Sequence, residues 1–209
     1  MKVLLVSATQ AEIAPLLKTY PNSPEFTIGD HVVRVLITGV GMVATAFSMG
    51  AHLSSNAYDV AINTGIAGAF DRNLLLGDVV QVTEDCFAEL GAEDGEEFLP
   101  IDKLGFGQSL ILPVRPPFPL PAVREVKAIT VSRVHGNETT IYHTMSRLHP
   151  QIESMEGAAF FYSCNQLNLP SIQLRSVSNY VERRNVSQWD IPRAIENLNS
   201  AVINYLEKL

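Results

Sequence analysis

Val32-Val33-Arg34-Val35-Leu36-Ile37 runs through Thr38-Gly39-Val40-Gly41 into a long stretch of small and apolar residues from Met42 to Leu53. The first run is β-branched and apolar and reads as a buried strand. The glycines permit a tight reversal. Met42 to Leu53 reads as a helix. Strand, glycine turn and helix in succession form the repeating unit of a parallel α/β fold.

The same alternation extends in both directions. Val3-Leu4-Leu5-Val6 is a short buried strand, followed by a helical stretch from about Ala11 to Thr19. Val60 to Asn63, Val79 to Val82 and Ala128 to Val131 are further strands. Gly157 to Leu167 reads as a helix and Ser171 to Val177 as the strand after it. Asp190 to Leu209 closes the chain as an amphipathic helix with Ile195, Leu198, Val202 and Leu206 on one face. Two stretches interrupt the pattern and read as surface loops. Glu84 to Gly107 is acidic and punctuated by glycine, and Pro113 to Pro121 is too rich in proline for a helix interior. The expected architecture is α/β: a central, mostly parallel or mixed β-sheet flanked by helices, in one domain spanning 1–209.

Composition agrees with this and excludes several function classes. The chain has 209 residues, 46% of them hydrophobic and 18% charged, which suits one α/β domain with a sizeable core. Its net charge of −7 gives no basic footprint for nucleic acid. No apolar run approaches the roughly 20 residues of a membrane-spanning helix. Charged residues arrive early, so no signal peptide is expected. The two cysteines, Cys86 and Cys164, are too few for a disulfide framework, and the cytoplasm is the expected compartment.

Gly39-Val40-Gly41-Met42-Val43-Ala44 has the outline of a dinucleotide-binding turn. That reading also needs an acidic residue after the next strand. Asp59 precedes that strand instead, and Thr64-Gly65 follows it. A second small-residue turn is read at Asn63-Thr64-Gly65-Ile66-Ala67-Gly68. Two such turns at the carboxyl ends of neighbouring strands make one crevice, where open α/β sheets place ligands. Carboxylates converge on the same rim. Glu12 follows the first strand, and Glu156 lies among Met155, Ala158 and Ala159, where a charge needs a ligand or partner. Asn179 follows the strand that ends near Val177.

These segments, taken in order, resemble a known family: Ala8-Thr9-Gln10-Ala11-Glu12, Thr38-Gly39-Val40-Gly41, Asn63 to Gly68, Ser154-Met155-Glu156-Gly157-Ala158, and Arg175-Ser176-Val177-Ser178-Asn179. The set is similar to the nucleosidase branch of the nucleoside phosphorylase superfamily, related to methylthioadenosine/adenosylhomocysteine nucleosidases. The segments Ala88 to Gly95 and Ser178 to Arg184 further resemble futalosine hydrolases. The resemblance implies that Glu12 handles the attacking water. Met155 packs on the ribose, Glu156 holds ribose hydroxyls, and Asn179 meets the purine near N7. Gly41, Gly65, Ala67, Gly68 and Ser178 then line the substrate. His135 lies where the family places a purine-stacking residue. Arg183 or Arg184 would pair with the aryl carboxylate that futalosine carries beyond C5′.

One departure is informative. Adenine-specific relatives carry aspartate where this chain has Asn179. An amide offers both a donor and an acceptor, which suits O6 and a protonated N7 of a 6-oxopurine such as hypoxanthine. Phosphorylases of the family that the chain resembles hold phosphate with an Arg-containing turn after the first strand; the corresponding turn here, Ser7 to Glu12, has no Arg or Lys, so the resemblance implies water as the nucleophile. The expected reaction is release of hypoxanthine from futalosine, with no metal and no cofactor. Two alternatives stay open: another purine nucleosidase or phosphorylase of the same fold, and a non-catalytic nucleoside-binding protein. The expected partner is a small purine nucleoside, with neither nucleic acid nor membrane. The resemblance also implies a homo-oligomer.

Overall fold

The computed structural model describes residues 1–21 and 24–209. Strand β1 is Lys2–Ser7, followed by a 3-10 turn Ala11–Ile13 and helix α1, Ala14–Thr19. Strands β2, Glu25–Ile28, and β3, His31–Ile37, lead into helix α2, Met42–Leu53. Strands β4, Val60–Ala69, and β5, Val79–Phe87, are long and central, and a separate hairpin of β6, Gly91–Asp94, and β7, Glu97–Pro100, follows β5. Then come β8, Leu110–Ile111, β9, Arg124–Thr130, α3, Glu138–Leu148, and β10, Ile152–Ser154. Helix α4, Gly157–Asn165, strand β11, Ser171–Tyr180, and helix α5, Ile191–Leu206, complete the chain.

A mixed nine-stranded sheet runs in the order β10-β9-β5-β11-β4-β1-β3-β2, with β8 on β5. The expected α/β architecture is therefore present. Strand β1 shows how the layers arise. Successive side chains leave opposite faces of a strand. Val3 and Leu5 pack with Ile13, Leu16, Leu198 and Val202 on the side of α1 and α5. Leu4 and Val6 pack with Met49, Leu53, Phe160 and Phe161 on the side of α2 and α4. All four strand residues are fully buried, as expected of a sheet covered on both faces. On α5, Leu198, Val202 and Leu206 are buried as the periodicity predicts, while Ile195 is half-buried.

The sheet curls. β10 pairs with β9 on one side and, antiparallel, with the far end of β4 through Ile152–Ala69 and Glu153–Gly68. Strands β4, β11, β5, β9 and β10 thus close into a ring, and the site lies at one end of it.

Three expectations are corrected. The stretch Asn63 to Gly68 is not a turn but the continuation of β4, paired with β11 as far as Tyr180. Gly39 and Gly41 have positive φ and make a true reversal, whereas Gly65 and Gly68 do not. These two supply space rather than a bend. Second, Glu84 to Gly107 is not wholly a loop. It holds the end of β5 and the β6–β7 hairpin. Third, α3 and β10 have no counterpart in the expected pattern. The residues of α3, Glu-Thr-Thr-Ile-Tyr-His-Thr-Met-Ser-Arg-Leu, are mostly polar or β-branched and give a weak helical signal. Its Asn137 cap, accepting from Thr139 N and Thr140 N, was the readable clue. Among the described residues no helix is long and apolar enough to cross a membrane.

Candidate active site

Strand ends and helix starts from across the sheet converge on a cavity of about 400 Å³. Its wall includes Ala8, Thr9 and Glu12 after β1, Val40 after β3, and Ile66, Ala67 and Gly68 on β4. Glu153 to Glu156 come from β10 and the start of α4, Ser178 and Asn179 from β11, and Trp189, Ile191 and Ile195 from around α5.

Glu12 is buried in the 3-10 turn that follows β1. Its Oε2 accepts from Thr9 N and Thr9 Oγ1, both at 3.0 Å, and from Ser7 Oγ at 3.3 Å. Its Oε1 accepts from Ile66 N at 3.2 Å. Charge-assisted bonds to a carboxylate are the stronger class, so this set fixes the group against the cavity. Glu156, also buried, accepts at Oε1 from Gly41 N at 3.1 Å, and its Oε2 lies 3.6 Å from Arg175 Nη1. Gly41 thus serves the site through Glu156, behind the wall.

Gly65 is also behind the wall, and its role is spatial. A Cβ there would stand 2.2 Å from Arg175 Nη1 and 2.9 Å from Glu12 Oε1. The guanidinium therefore lies against the bare backbone, beside Glu12. Arg175 is 1% exposed and also donates from Nη2 to Asn63 Oδ1. Sequence reasoning quoted Arg175 only as part of a motif. Its signal was a cation inside the otherwise uncharged strand Ser171 to Ser178.

Asn179 owes its placement to an irregularity. The β11–β4 register shifts between Val177 and Asn179, leaving Ser178 as the extra residue. Such a bulge re-aims side chains, and here both Ser178 and Asn179 line the cavity. Asn179 Oδ1 accepts from Ser178 Oγ at 2.8 Å, and Nδ2 donates to Tyr180 O at 3.0 Å. An amide has two donors and two acceptor positions, so one of each remains for a ligand. Gly68 leaves room for it: a Cβ there would be 3.2 Å from Asn179 Nδ2.

Met155 lines the cavity, as does His135. Both ring nitrogens of His135 are engaged within the protein: Nδ1 with Glu153 Oε2 at 2.5 Å and Nε2 with Thr144 Oγ1 at 2.9 Å. The ring can offer a ligand its surface, with no free nitrogen. Glu153, overlooked in the sequence, is the buried acid that holds it. Arg183 does not line this cavity. It belongs to an adjoining groove of about 710 Å³ with Glu138, Tyr142 and Gln188. Arg184 lines both and lies over the Trp189 ring. The local chain turns between the two arginines, which sequence spacing alone does not resolve. Among the described residues no group of three His, Cys, Asp or Glu is placed to hold a metal ion.

The rim of strand ends thus brings two buried carboxylates and an amide to one cavity of an α/β fold. The chain belongs to the phosphorylase superfamily, which its sequence matches over residues 2–207. More particularly, it is 33% identical to the futalosine hydrolase of Streptomyces coelicolor, over 80% of this chain and 76% of that protein. It is 25% identical to the 5′-methylthioadenosine/S-adenosylhomocysteine nucleosidase of Pseudoalteromonas translucida, over all of this chain and 98% of that one. The fold is shared with the Helicobacter pylori nucleosidase of the latter name. The TM-score is 0.83 at 14% identity, with 100% of this chain and 99% of that chain covered.

Proposed function

We propose that this protein hydrolyses the N-glycosidic bond of a purine nucleoside, and that its substrate is futalosine, with hypoxanthine as the leaving base. The observation that carries this reading is the placement of Glu12, Glu156 and Asn179 on one cavity wall. Breaking a C–N glycosidic bond develops positive charge on the ribose and negative charge on the base. Glu156 accepts from the ribose hydroxyls and faces the first of these charges. Glu12 takes a proton from the attacking water. Met155 packs on the sugar. N7 takes a proton from solvent as the bond breaks, and Glu12 later returns the water's proton to solvent; the free N–H of Asn179 donates to O6 while its oxygen accepts from N7–H. Arg184, which lines cavity and groove alike, pairs with the carboxylate of the substituent beyond C5′, the part for which the sequence offered Arg183 or Arg184.

Water is the nucleophile in this reading, because the turn carrying Glu12 has no cation and Arg175 is committed to Glu156 and Asn63. Similarity to 5′-methylthioadenosine/S-adenosylhomocysteine nucleosidases supports a second reading, in which methylthioadenosine is the substrate. One experiment separates the possibilities. Purified protein is given futalosine, or methylthioadenosine, in concentrated phosphate, and the products are identified by mass spectrometry. Hypoxanthine with an unphosphorylated sugar is expected. Preferential adenine release would favour the second reading, and a sugar 1-phosphate would overturn the hydrolase assignment.

We also propose that the enzyme is cytoplasmic and self-associates. Val43 and Phe47 on α2 are 81% and 76% exposed, and Phe106 is 81% exposed. Together with Tyr162, Val43 and Phe106 flank an apolar groove. Exposed apolar patches of this kind mark association surfaces. Light scattering giving the mass of one chain would refute self-association.

A further inference from the structure

Helices announce their starts by capping, and three long helices here do so differently. Asn137 caps α3 with its own side chain, and Asp190 caps α5 by accepting from Arg193 N. Helix α4 has Glu156 at the N-cap position, and Glu156 makes no capping bond. An N-cap side chain normally accepts from the second or third helical N–H, and those donors are costly to leave unpaired when buried. In α4 the second helical residue is Ala158. Its N–H donates to Thr130 Oγ1 of strand β9 at 2.7 Å. Thr130 Oγ1 in turn donates its proton to Asp85 Oδ1 of strand β5 at 2.8 Å. Gln173 Nε2 of β11 donates to Asp85 Oδ2 at 2.9 Å. Asp85, Thr130 and Gln173 have no exposed surface, and Gly157 is pressed so close that a Cβ would stand 2.1 Å from Asp85 Oδ2.

A hydroxyl has one proton. With that proton given to Asp85, the lone pairs of Thr130 are left to face the helix. The capping position that the Glu156 side chain would otherwise take is thereby filled from a neighbouring strand. Glu156 then reaches Gly41 N and Arg175 instead. We propose that Thr130 and Asp85 are positioning residues: they cap α4 from outside and so release the Glu156 carboxylate into the nucleoside cavity. The functional part of this proposal rests on Glu156 holding the ribose, as set out above. The structural part does not.

The test uses Thr130→Val, which removes the hydroxyl at nearly constant shape, and Thr130→Ser, which restores it. Crystal structures of both variants are compared with the parent. Futalosine turnover and hypoxanthine binding are measured alongside, since the free base does not involve the ribose carboxylate. In Thr130→Val the Glu156 carboxylate is expected to leave Gly41 N and turn back onto Ala158 N. Turnover efficiency should fall roughly 10- to 100-fold while the hypoxanthine Kd changes less than about twofold, the range for an unpaired buried polar group. Thr130→Ser should behave as the parent in both respects. Glu156 staying on Gly41 N in Thr130→Val would overturn the proposal, as would failure of serine to rescue. A displaced Glu156 with undiminished turnover supports the positioning role and sinks the ribose assignment instead.

Discussion

Gly65→Ala is the sharpest single perturbation that this site offers. The new methyl would sit 2.2 Å from Arg175 Nη1 and 2.9 Å from Glu12 Oε1. An ordinary contact between such atoms is about 3.5 Å, so the guanidinium must recede by roughly 1 Å. Arg175 has nowhere exposed to go, being 1% accessible and tied to Asn63 and Glu156. Breaking a buried ion pair outright costs about 3–5 kcal/mol, and loosening one bond of it about 1–3 kcal/mol. We expect the smaller figure. For a chain of this size, that is a Tm lowered by roughly 2–12 °C. Futalosine turnover should fall at least about tenfold, because the same methyl crowds Glu12 and unseats the partner of Glu156. Thermal unfolding by circular dichroism and a base-release assay measure the two effects. Gly50→Ala is the control. It lies within helix α2 with nothing inside 4 Å of its Cβ, and should be neutral or stabilising by about 0.5–1 kcal/mol. A Gly65→Ala protein that matches the parent in Tm and turnover would refute the account of Gly65 as a space reserved for Arg175.

Three further outcomes are expected. Glu12→Gln should keep hypoxanthine binding but lose about 10²–10⁴-fold in turnover, the usual worth of a general base; turnover near the parental rate would remove Glu12 from the mechanism. Asn179→Asp should shift the kcat/KM ratio between futalosine and its adenine analogue towards adenine by about 5- to 150-fold, and a ratio that stays put would show that Asn179 does not read the base at C6. Burial pushes the Asp85 carboxyl up to about 6, against the hydrogen bonds of Gln173 and Thr130. A carboxyl with a folded pKa above its unfolded one binds its proton more tightly in the fold, so its contribution favours folding at low pH and is lost as pH rises from about 4 through 6. Asp85→Asn keeps an acceptor for Thr130 and can meet the unpartnered Gln173 Oε1 if that amide turns over. Its stability relative to the parent should therefore climb across that window by on the order of 2–3 kcal/mol, and denaturant unfolding at pH 4 and 7 giving the same difference would contradict the assignment.

What could be read from sequence was what local chemistry dictates. Helix α2 begins and ends at the residues expected, because Gly39 and Gly41 mark its start with true positive-φ turns and small apolar residues fill it. Glu12, Glu156 and Asn179 share one cavity, as their common position near strand ends implied, and Met155, Ser178 and His135, expected there from the family resemblance, line it too. The unreadable parts depend on partners distant in the chain. Asn63 to Gly68 has the composition of a turn, and its pairing along its whole length with β11, more than a hundred residues on, makes it a strand. Arg175 stands out only as a cation in an uncharged strand, and its partners appear once Gly65 is seen to make room for it. The difference between Arg183 and Arg184 is set by local backbone direction, for which residue type carries no signal.

The place of β11 in the sheet also governs how the molecule is made. It lies between β4 and β5, parallel to one and antiparallel to the other, yet it is the last strand of the chain. A chain emerging from the ribosome can pair β1, β3 and β4 early, but β4 and β5 have no common neighbour until Tyr180 has been synthesised. Until then, two long apolar strands present open edges, the form of backbone most prone to pairing with another chain. Folding that waits on such distant contacts is slow. On refolding, amides of β4 and β5 should gain protection from hydrogen exchange together with those of β11; protection of the β4–β5 pair ahead of it would contradict this order. Asn179 rides on that final strand, so the cavity it lines is finished only when β11 has taken its place.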